Sequence, residues 1–354
     1  MSEEDAASEY ARSLNTSGYF APVLHASIHL GLFNIIARAG PGAELSASEI
    51  AAQLPTKNPY APFYLDRMLR LLACYSLLTC SARSIREEED GKIERLYGLA
   101  PPGKAFVPDE DGDALLSAFP SNLGIIEPLL HLKDFILEGG GSLFERVHGM
   151  TFYEYVSRDP EYNKGFSKTL TNYSKRPMKK ILEIYRGFEG VTSLLDVGGG
   201  SGAIIDMIVS KYPPIKGINF DQPHVIQNAP SYPGVEHVAG DMFVSIPKAA
   251  DTLMMKDVLH NWNDELCVKV LQNCYDALPS QGKLIVISFM ITETAESSSC
   301  AKHVAHVDII MFMHHGGRER TEREFKALGK AAGFSGFQVV SFAYNSIAVM
   351  EFYK

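Results

Sequence analysis

From residue 193 onward, short apolar runs alternate with amphipathic helical stretches, and that rhythm limits the folds open to the chain. Ser193–Val197, Lys216–Phe220, Thr252–Met255 and Lys283–Met290 read as strands. Ala203–Lys211, Asp264–Leu278 and Thr321–Ala332 read as helices. Phe337–Phe342 and Ala348–Phe352 close the chain as two strands joined through Asn345-Ser346. Strands separated by helices predict an α/β fold, a Rossmann-like doubly wound sheet, mostly parallel, with the closing hairpin as an antiparallel edge.

The first third is different. Val23–Ala37 carries apolar residues at helical spacing, Ser46-Ala-Ser-Glu49 is a capping box ahead of Ile50 and Leu54, and Ala61–Tyr75 is a third amphipathic helix. Leu77–Arg83 and Glu94–Leu99 read as a hairpin turned through Arg86–Lys92 with Asp90-Gly91. Three helices and a hairpin make a helical winged-helix pattern. Helical stretches continue through Gly112–Leu137, break at Gly139–Ser142, and resume from Thr151 to Phe188. The expected division is therefore 1–115 for the winged-helix domain and 116–354 for the sheet domain, and a chain of 354 residues is long enough for both.

Winged helices most often bind DNA, but the net charge of −9 and the lack of a long Lys/Arg cluster argue against nucleic acid. We expect the domain to serve a homodimer instead, with the apolar residues around Leu24–Ile36 at the interface. No apolar run reaches a membrane-spanning length, and the acidic N-terminus is unlike a signal peptide, so no membrane partner and a cytoplasmic location are expected. Cys74, Cys80, Cys267, Cys274 and Cys300 show no metal or disulfide spacing and read as buried free thiols.

The segment Leu194-Leu-Asp-Val-Gly-Gly-Gly-Ser-Gly202 sits where the first strand turns into a helix, a place where glycines let a ligand approach the backbone. Taken alone it also fits a dinucleotide fingerprint, through Gly198, Gly200 and Ala203, and so an NAD-dependent oxidoreductase. The neighbouring acids discriminate. Asp196 precedes the glycines, where it would repel a pyrophosphate but accept an ammonium. Asp221 ends the second strand, placed for ribose hydroxyls. Asp241, with Met242, follows the third, placed for an adenine. An acid at all three strand ends suits the sulfonium of S-adenosylmethionine better than an anionic dinucleotide. Any one of the three could be a turn cap, but the set fits that reading poorly.

After the fourth strand comes Lys256-Asp-Val-Leu-His260-Asn-Trp, on the crevice side of a doubly wound sheet. A histidine there can take the proton from a phenol whose oxygen attacks a methyl group.

At this point the chain closely resembles the plant caffeic acid O-methyltransferase family. The resemblance runs from about Ala21 to the C-terminus and rests on Leu65-Asp-Arg-Met-Leu-Arg-Leu-Leu-Ala, Asp196-Val-Gly-Gly-Gly, Gly234-Val-Glu-His-Val-Ala-Gly-Asp-Met-Phe243, His260-Asn-Trp and Gly316-Gly-Arg-Glu-Arg-Thr321. It implies a class I methyltransferase sheet, a homodimer, S-adenosylmethionine as cofactor, a small aromatic substrate and no metal. Carried over, Ser174, Gly198, Asp221, Asp241, Met242 and Lys256 would contact the cofactor. His260 would be the base, oriented by Glu319, with Trp262 packed beside it. Phe119, Asn122, Phe152, Val156, Tyr162, Phe166, Leu170, Tyr173, Met311, His314 and His315 would line the acceptor pocket. Phe152 and Tyr173 would stack on a flat acceptor.

Three positions depart from the family pattern. Asn261 replaces an Asp, Ser288 replaces a carboxylate at the end of the fifth strand, and Asp257 stands where a Trp is usual. Losing one of two orienting acids should lower the basicity of His260. A neutral aryl amine tolerates that better than a phenol. The departures therefore tilt the expectation toward N-methylation, as in anthranilate-type relatives, with O-methylation of a phenol as the alternative.

Overall fold

The structure is a computed structural model that describes residues 2–84, 93–108, 123–139 and 141–354, with the side chains of 84, 160, 161, 164, 167 and 315 outside that set. The chain divides into two compact units, Met1–Ser121 and Asn122–Lys354.

In the first unit, β1 (Leu45–Ser46), β2 (Leu78–Ser84) and β3 (Ile93–Leu99) form a small antiparallel sheet in the order β1-β3-β2. Leu65, Leu69 and Leu72 of the helix Ala61–Cys74 pack onto it together with Ile50 and Tyr97. Ser46 caps Ala47–Ala51 through reciprocal bonds with Glu49, as its sequence predicts. The turn assigned to Arg86–Lys92 lies outside the described residues, as does the start of the stretch assigned to Gly112–Leu137.

Two expectations about this unit need correction. Val23–Ala37 is not one helix: Phe20–His29 ends at Leu30, and Leu32–Arg38 starts from Gly31, whose φ of 68° no helix interior adopts. The apolar face assigned to an interface is also partly spent. Leu32, Phe33, Ile35 and Ile36 are buried in the unit's own core. Large apolar side chains left exposed include Tyr10, Leu14, Tyr19 and Leu30, and at and along the Ala61–Cys74 helix Tyr60, Phe63, Tyr64 and Tyr75. Cys74 and Cys80 are exposed as well, so only Cys267 and Cys274 fit the buried-thiol reading.

The second unit is a seven-stranded mixed sheet. Its strands are β4 (Ser193–Val197), β5 (Lys216–Asp221), β6 (Val235–Ala239), β7 (Thr252–Lys256), β8 (Lys283–Phe289), β9 (Gly336–Ala343) and β10 (Ile347–Tyr353), in the order β6-β5-β4-β7-β8-β10-β9. From β4 to β8 all pairings are parallel, and β10 pairs antiparallel with both β8 and β9. The closing hairpin does add an antiparallel edge, but with its last strand inside: β10 is buried for six of its seven residues, and β9 is the edge. The order reverses between β4 and β7, and a doubly wound sheet opens its ligand crevice at that reversal.

Both faces of the sheet are covered. Leu195, Val197, Leu253, Met255, Leu284 and Val286 pack against Asp264–Ala277 and Glu322–Ala331. Leu194, Met254, Ile285 and Ile287 pack against Ala203–Lys211 and the long helix Pro160–Ile184. The helix Ser299–His315 was not anticipated from sequence, because its apolar residues are spread around the cylinder and leave no amphipathic stripe to read.

Candidate active site

The Gly-rich turn rests on polar side chains from the strands beneath it. Asp196 is 1% exposed and its Oδ1 has no hydrogen-bond partner. Burial, with the charge of Asp221 adding to it and that of Lys256 opposing it, pushes its carboxyl up to about 7. A buried carboxylate with an unpartnered oxygen at the end of the central strand is an acceptor suited to a ligand cation, and an ammonium fits it. Gly199 must be glycine because a Cβ there would collide with the Asn219 amide and approach Asp196 Oδ2 to 2.8 Å. Gly198 N–H donates to Phe220 O at 2.8 Å, tying the turn to β5.

The other acids lie along the same crevice edge. Asp221 accepts from Gly200 N–H at 2.8 Å and from Gln222 N–H at 2.7 Å. Asp241 accepts from Phe243 N–H at 2.8 Å, which turns the loop carrying Met242. Phe243 packs edge-on against Trp262, with ring centres 4.9 Å apart, so Trp262 belongs to this loop's packing as well as to the His260 segment. Lys256 Nζ donates to Ser174 Oγ at 3.2 Å and pairs with Asp257.

His260 lies on a short turn after β7, 8% exposed, and its Nδ1 is 2.7 Å from Glu319 Oε1. Burial alone would lower the basicity of the imidazole, but the hydrogen bond and charge of Glu319 outweigh it, and the histidine's pKa is raised. Glu319 is held in turn, since its own N–H donates to Asp308 Oδ1 at 2.7 Å.

The segment Gly316–Thr321 acts as a clamp on the histidine turn. Gly317 passes so close to the His260 carbonyl that any side chain would collide with it. Arg318 N–H donates to His260 O at 2.9 Å. The fully buried Arg320 guanidinium reaches Leu259 O at 2.9 Å, Trp262 O at 2.7 Å and Asp264 Oδ1 at 2.7 Å. Sequence reading picked out Glu319 from this segment and missed Arg320 and Asp308, which fix the loops that present the pair.

The three departures from the family pattern have distinct structural positions. Asn261 Nδ2 donates to Asp257 O at 3.3 Å and Val258 O at 3.4 Å, so it stitches its own turn together and does not touch the imidazole. An aspartate could not donate those bonds. Asp257 has a φ of 54°, in the left-handed region that asparagine and aspartate tolerate better than other side chains. Ser288 is 1% exposed and its hydroxyl has no partner, so it does not replace a carboxylate as a support for His260.

The expected acceptor lining divides into two groups. Phe152 and Phe166 are buried with ring centres 5.5 Å apart, and Phe152 stacks on His314 at 4.0 Å. They form the core of a helical lobe with Leu143, Phe144 and Met313. Phe152 therefore spends one ring face on His314. Tyr162 packs against that core with a buried, unpartnered hydroxyl pushed by burial up to about 12. Tyr173 hydrogen-bonds His303 at 2.8 Å; burial, and behind it the charges of Asp257 and Glu319, raise its phenol, which places it near the histidine pair. Met311 is half-buried, Leu170 is 41% exposed, and the His315 side chain, like Phe119 and Asn122, lies outside the described residues. Among the described residues no group of three or more His, Cys, Asp or Glu side chains could hold a metal.

Comparison with known proteins gives consistent matches. Residues 129–335 match the O-methyltransferase domain, and residues 15–109 match the O-methyltransferase dimerisation domain. A caffeic acid 3-O-methyltransferase of Medicago sativa is 53% identical, over 100% of this chain and 96% of its own length. One from Populus tremuloides is 53% identical over 98% and 94%. Among solved structures, a methyltransferase of calicheamicin biosynthesis in its S-adenosylhomocysteine-bound form superposes with a TM-score of 0.81 at 21% identity, covering both chains fully. Human N-acetylserotonin methyltransferase in complex with S-adenosylmethionine gives 0.79 at 20%, covering 100% of this chain and 99% of that one. At those identities the structural likeness is one of fold.

Proposed function

The chain belongs to the O-methyltransferase family that includes the plant caffeic acid 3-O-methyltransferases, and on that premise we propose that it methylates a phenolic oxygen of a small planar aromatic acceptor, with His260 as general base. S-adenosylmethionine, when bound, supplies a methyl group on a positively charged sulfur. The single observation that carries the phenol reading is the buried His260–Glu319 pair at 2.7 Å. A phenol is mostly protonated near neutral pH, and its oxygen needs a base positioned to take that proton as the new bond forms. Glu319 favours the protonated imidazole that results and holds Nδ1, leaving Nε2 to face the acceptor.

On the donor side, Asp196 would receive the cofactor's ammonium, Asp221 its ribose hydroxyls, and Asp241 with Met242 its adenine. Gly198 would admit the ligand to the turn, with Ser174 and Lys256 closing that side. The N-terminal unit would form the homodimer, through the exposed Tyr10, Leu14, Tyr19 and Leu30. The relatives' printed activity and the intact His260–Glu319 pair favour oxygen over the nitrogen expected from Ser288. N-methylation of an aryl amine remains the second reading, because the hydroxyl of Ser288 gives the histidine no support.

The test is incubation with methyl-labelled cofactor and a matched pair of acceptors, a hydroxycinnamate and an aminobenzoate, followed by identification of the atom that gains the label. Label on the phenolic oxygen supports the proposal. Turnover of the aminobenzoate alone, with label on nitrogen, overturns it.

A further inference from the structure

A row of polar side chains crosses three adjacent strands directly beneath the cofactor turn. In the parallel register Asp196 of β4 pairs with Asn219 of β5, and Asn219 pairs with His237 of β6. Side chains at paired positions of neighbouring strands lie on the same face. Asn219 is fully buried between Ile218 and Phe220, a polar residue in an otherwise apolar strand interior. Such a residue is retained only where its hydrogen bonds are used.

Its Oδ1 is buried without a partner, and the bonds of its amide nitrogen can be assigned. Asn219 Nδ2 lies 3.0 Å from Gly200 O and 3.1 Å from His237 Nδ1. The carbonyl of Gly200 can only accept, so the amide nitrogen faces it and has one further hydrogen, for His237. On the other side of the ring, His237 Nε2 lies 2.9 Å from Pro230 O, another group that can only accept. The imidazole must therefore carry its proton on Nε2 and offer a bare Nδ1 to Asn219. One neutral tautomer satisfies both ring nitrogens. Gly200 in turn donates its N–H to Asp221 Oδ2 at 2.8 Å, so both polar groups of that glycine are held.

We propose that His237 is a positioning residue for the cofactor site: in its Nε2–H tautomer it fixes the Asn219 amide, which fixes Gly200 and with it the carboxylate of Asp221. The relay runs Pro230 O, His237, Asn219, Gly200, Asp221. None of the first four side chains or carbonyls reaches the acceptor side of the crevice, so the effect falls on donor binding and not on the chemical step. The proposal rests on donor binding at the Gly-rich turn and is independent of whether oxygen or nitrogen is methylated.

The test uses the full-length protein and isothermal titration with S-adenosylhomocysteine. His237→Leu keeps the bulk of the ring and removes the acceptor, which leaves a buried Asn219 hydrogen unpaired. Its Kd is expected to rise about tenfold. The KM for S-adenosylmethionine should rise in step, with kcat at saturating cofactor and the KM for the acceptor unchanged. His237→Gln places an amide where it can accept from Asn219, and is expected to recover most of the affinity. The nitrogen chemical shifts of His237 in the wild-type protein should report a protonated Nε2 and a bare Nδ1. A His237→Leu protein that melts like wild type and binds within twofold of it overturns the proposal, and so does a protonated Nδ1. If His237→Leu does not fold, the His237→Gln affinity and the wild-type tautomer decide. Failure of the wild-type protein to bind S-adenosylhomocysteine would instead sink the methyltransferase reading itself.

Discussion

His260 Nδ1 and Glu319 Oε1 meet at 2.7 Å although they are 59 positions apart in the chain. The contact is made by two loops, one leaving β7 and one following Ser299–His315. The backbone bond from Arg318 to His260 O and the reach of Arg320 to Leu259 O and Trp262 O lock them together. The acid that sets the histidine's basicity is thus placed by hydrogen bonds that do not themselves touch the imidazole.

The charge of Glu319 is expected to matter more than its hydrogen bond. Glu319→Gln retains an acceptor for Nδ1–H but no longer favours the imidazolium, and kcat with a phenol should fall about 10²-fold. His260 acts as a base only when neutral, so activity should decline as pH drops through its pKa, which Glu319 raises above an imidazole's ordinary value. In Glu319→Gln that acidic limb should move to lower pH. The pH profiles of the two proteins check this, and coincident limbs would remove Glu319 from the base.

Arg320 offers a stability test. Arg320→Met keeps the volume but takes the guanidinium from Leu259 O, Trp262 O and Asp264, leaving the Trp262 carbonyl only a weak thiol donor and the Leu259 carbonyl its bonds from Trp262 N–H and Cys267, at a cost of about 3 kcal/mol. The melting temperature should fall by about 5 °C or more, and kcat should fall with it because the histidine turn loses its tether. Arg320→Lys should recover little, since a single ammonium cannot span two carbonyls and Asp264. Thermal unfolding and kcat on the same samples read both effects.

Much of this architecture was legible in the sequence because it is carried by periodicity and by strand ends. The alternation after Ser193 predicted the sheet, and Asp196, Asp221 and Asp241 were identified because each follows an apolar run. What escaped was structure without a stripe. Ser299–His315 has its apolar residues spread around the cylinder, so Asp308 and His303 came with no positional signal. Asn219 and His237 were hidden differently: the only sign was a polar residue inside an apolar strand, and its meaning depends on register with β6. The partial loss of the Leu24–Ile36 interface has the same origin, since helical spacing gives an apolar face but not what covers it.

Ser288 tests how far the departures reach. Its hydroxyl is buried without a partner, so Ser288→Ala should leave melting temperature and activity almost unchanged. Ser288→Glu puts a second carboxylate at the end of β8, where the family pattern has one, and should raise the rate on a phenol relative to an aryl amine. Measuring both acceptors with each variant separates the possibilities. An unchanged ratio in Ser288→Glu would mean that Glu319 alone sets the base.

Asp196 ties stability to ligand charge. Its folded pKa, about 7, lies above the unfolded 3.8. Between those values the folded state binds the extra proton, so stability must fall as pH rises through that window. Keeping the carboxylate ionised inside the fold costs up to about 4 kcal/mol, an order-of-magnitude figure. The cofactor-free protein should therefore lose melting temperature from about pH 4 to pH 7, and Asp196→Asn should flatten that slope while abolishing tight cofactor binding. A bound ammonium reverses the preference by stabilising the carboxylate, so S-adenosylhomocysteine should bind with release of a proton below neutral pH. Titration at one pH in buffers of different ionisation enthalpy measures that proton directly. A binding heat independent of buffer would show that Asp196 is already ionised before the ligand arrives, and that its burial is offset by a partner other than the ligand.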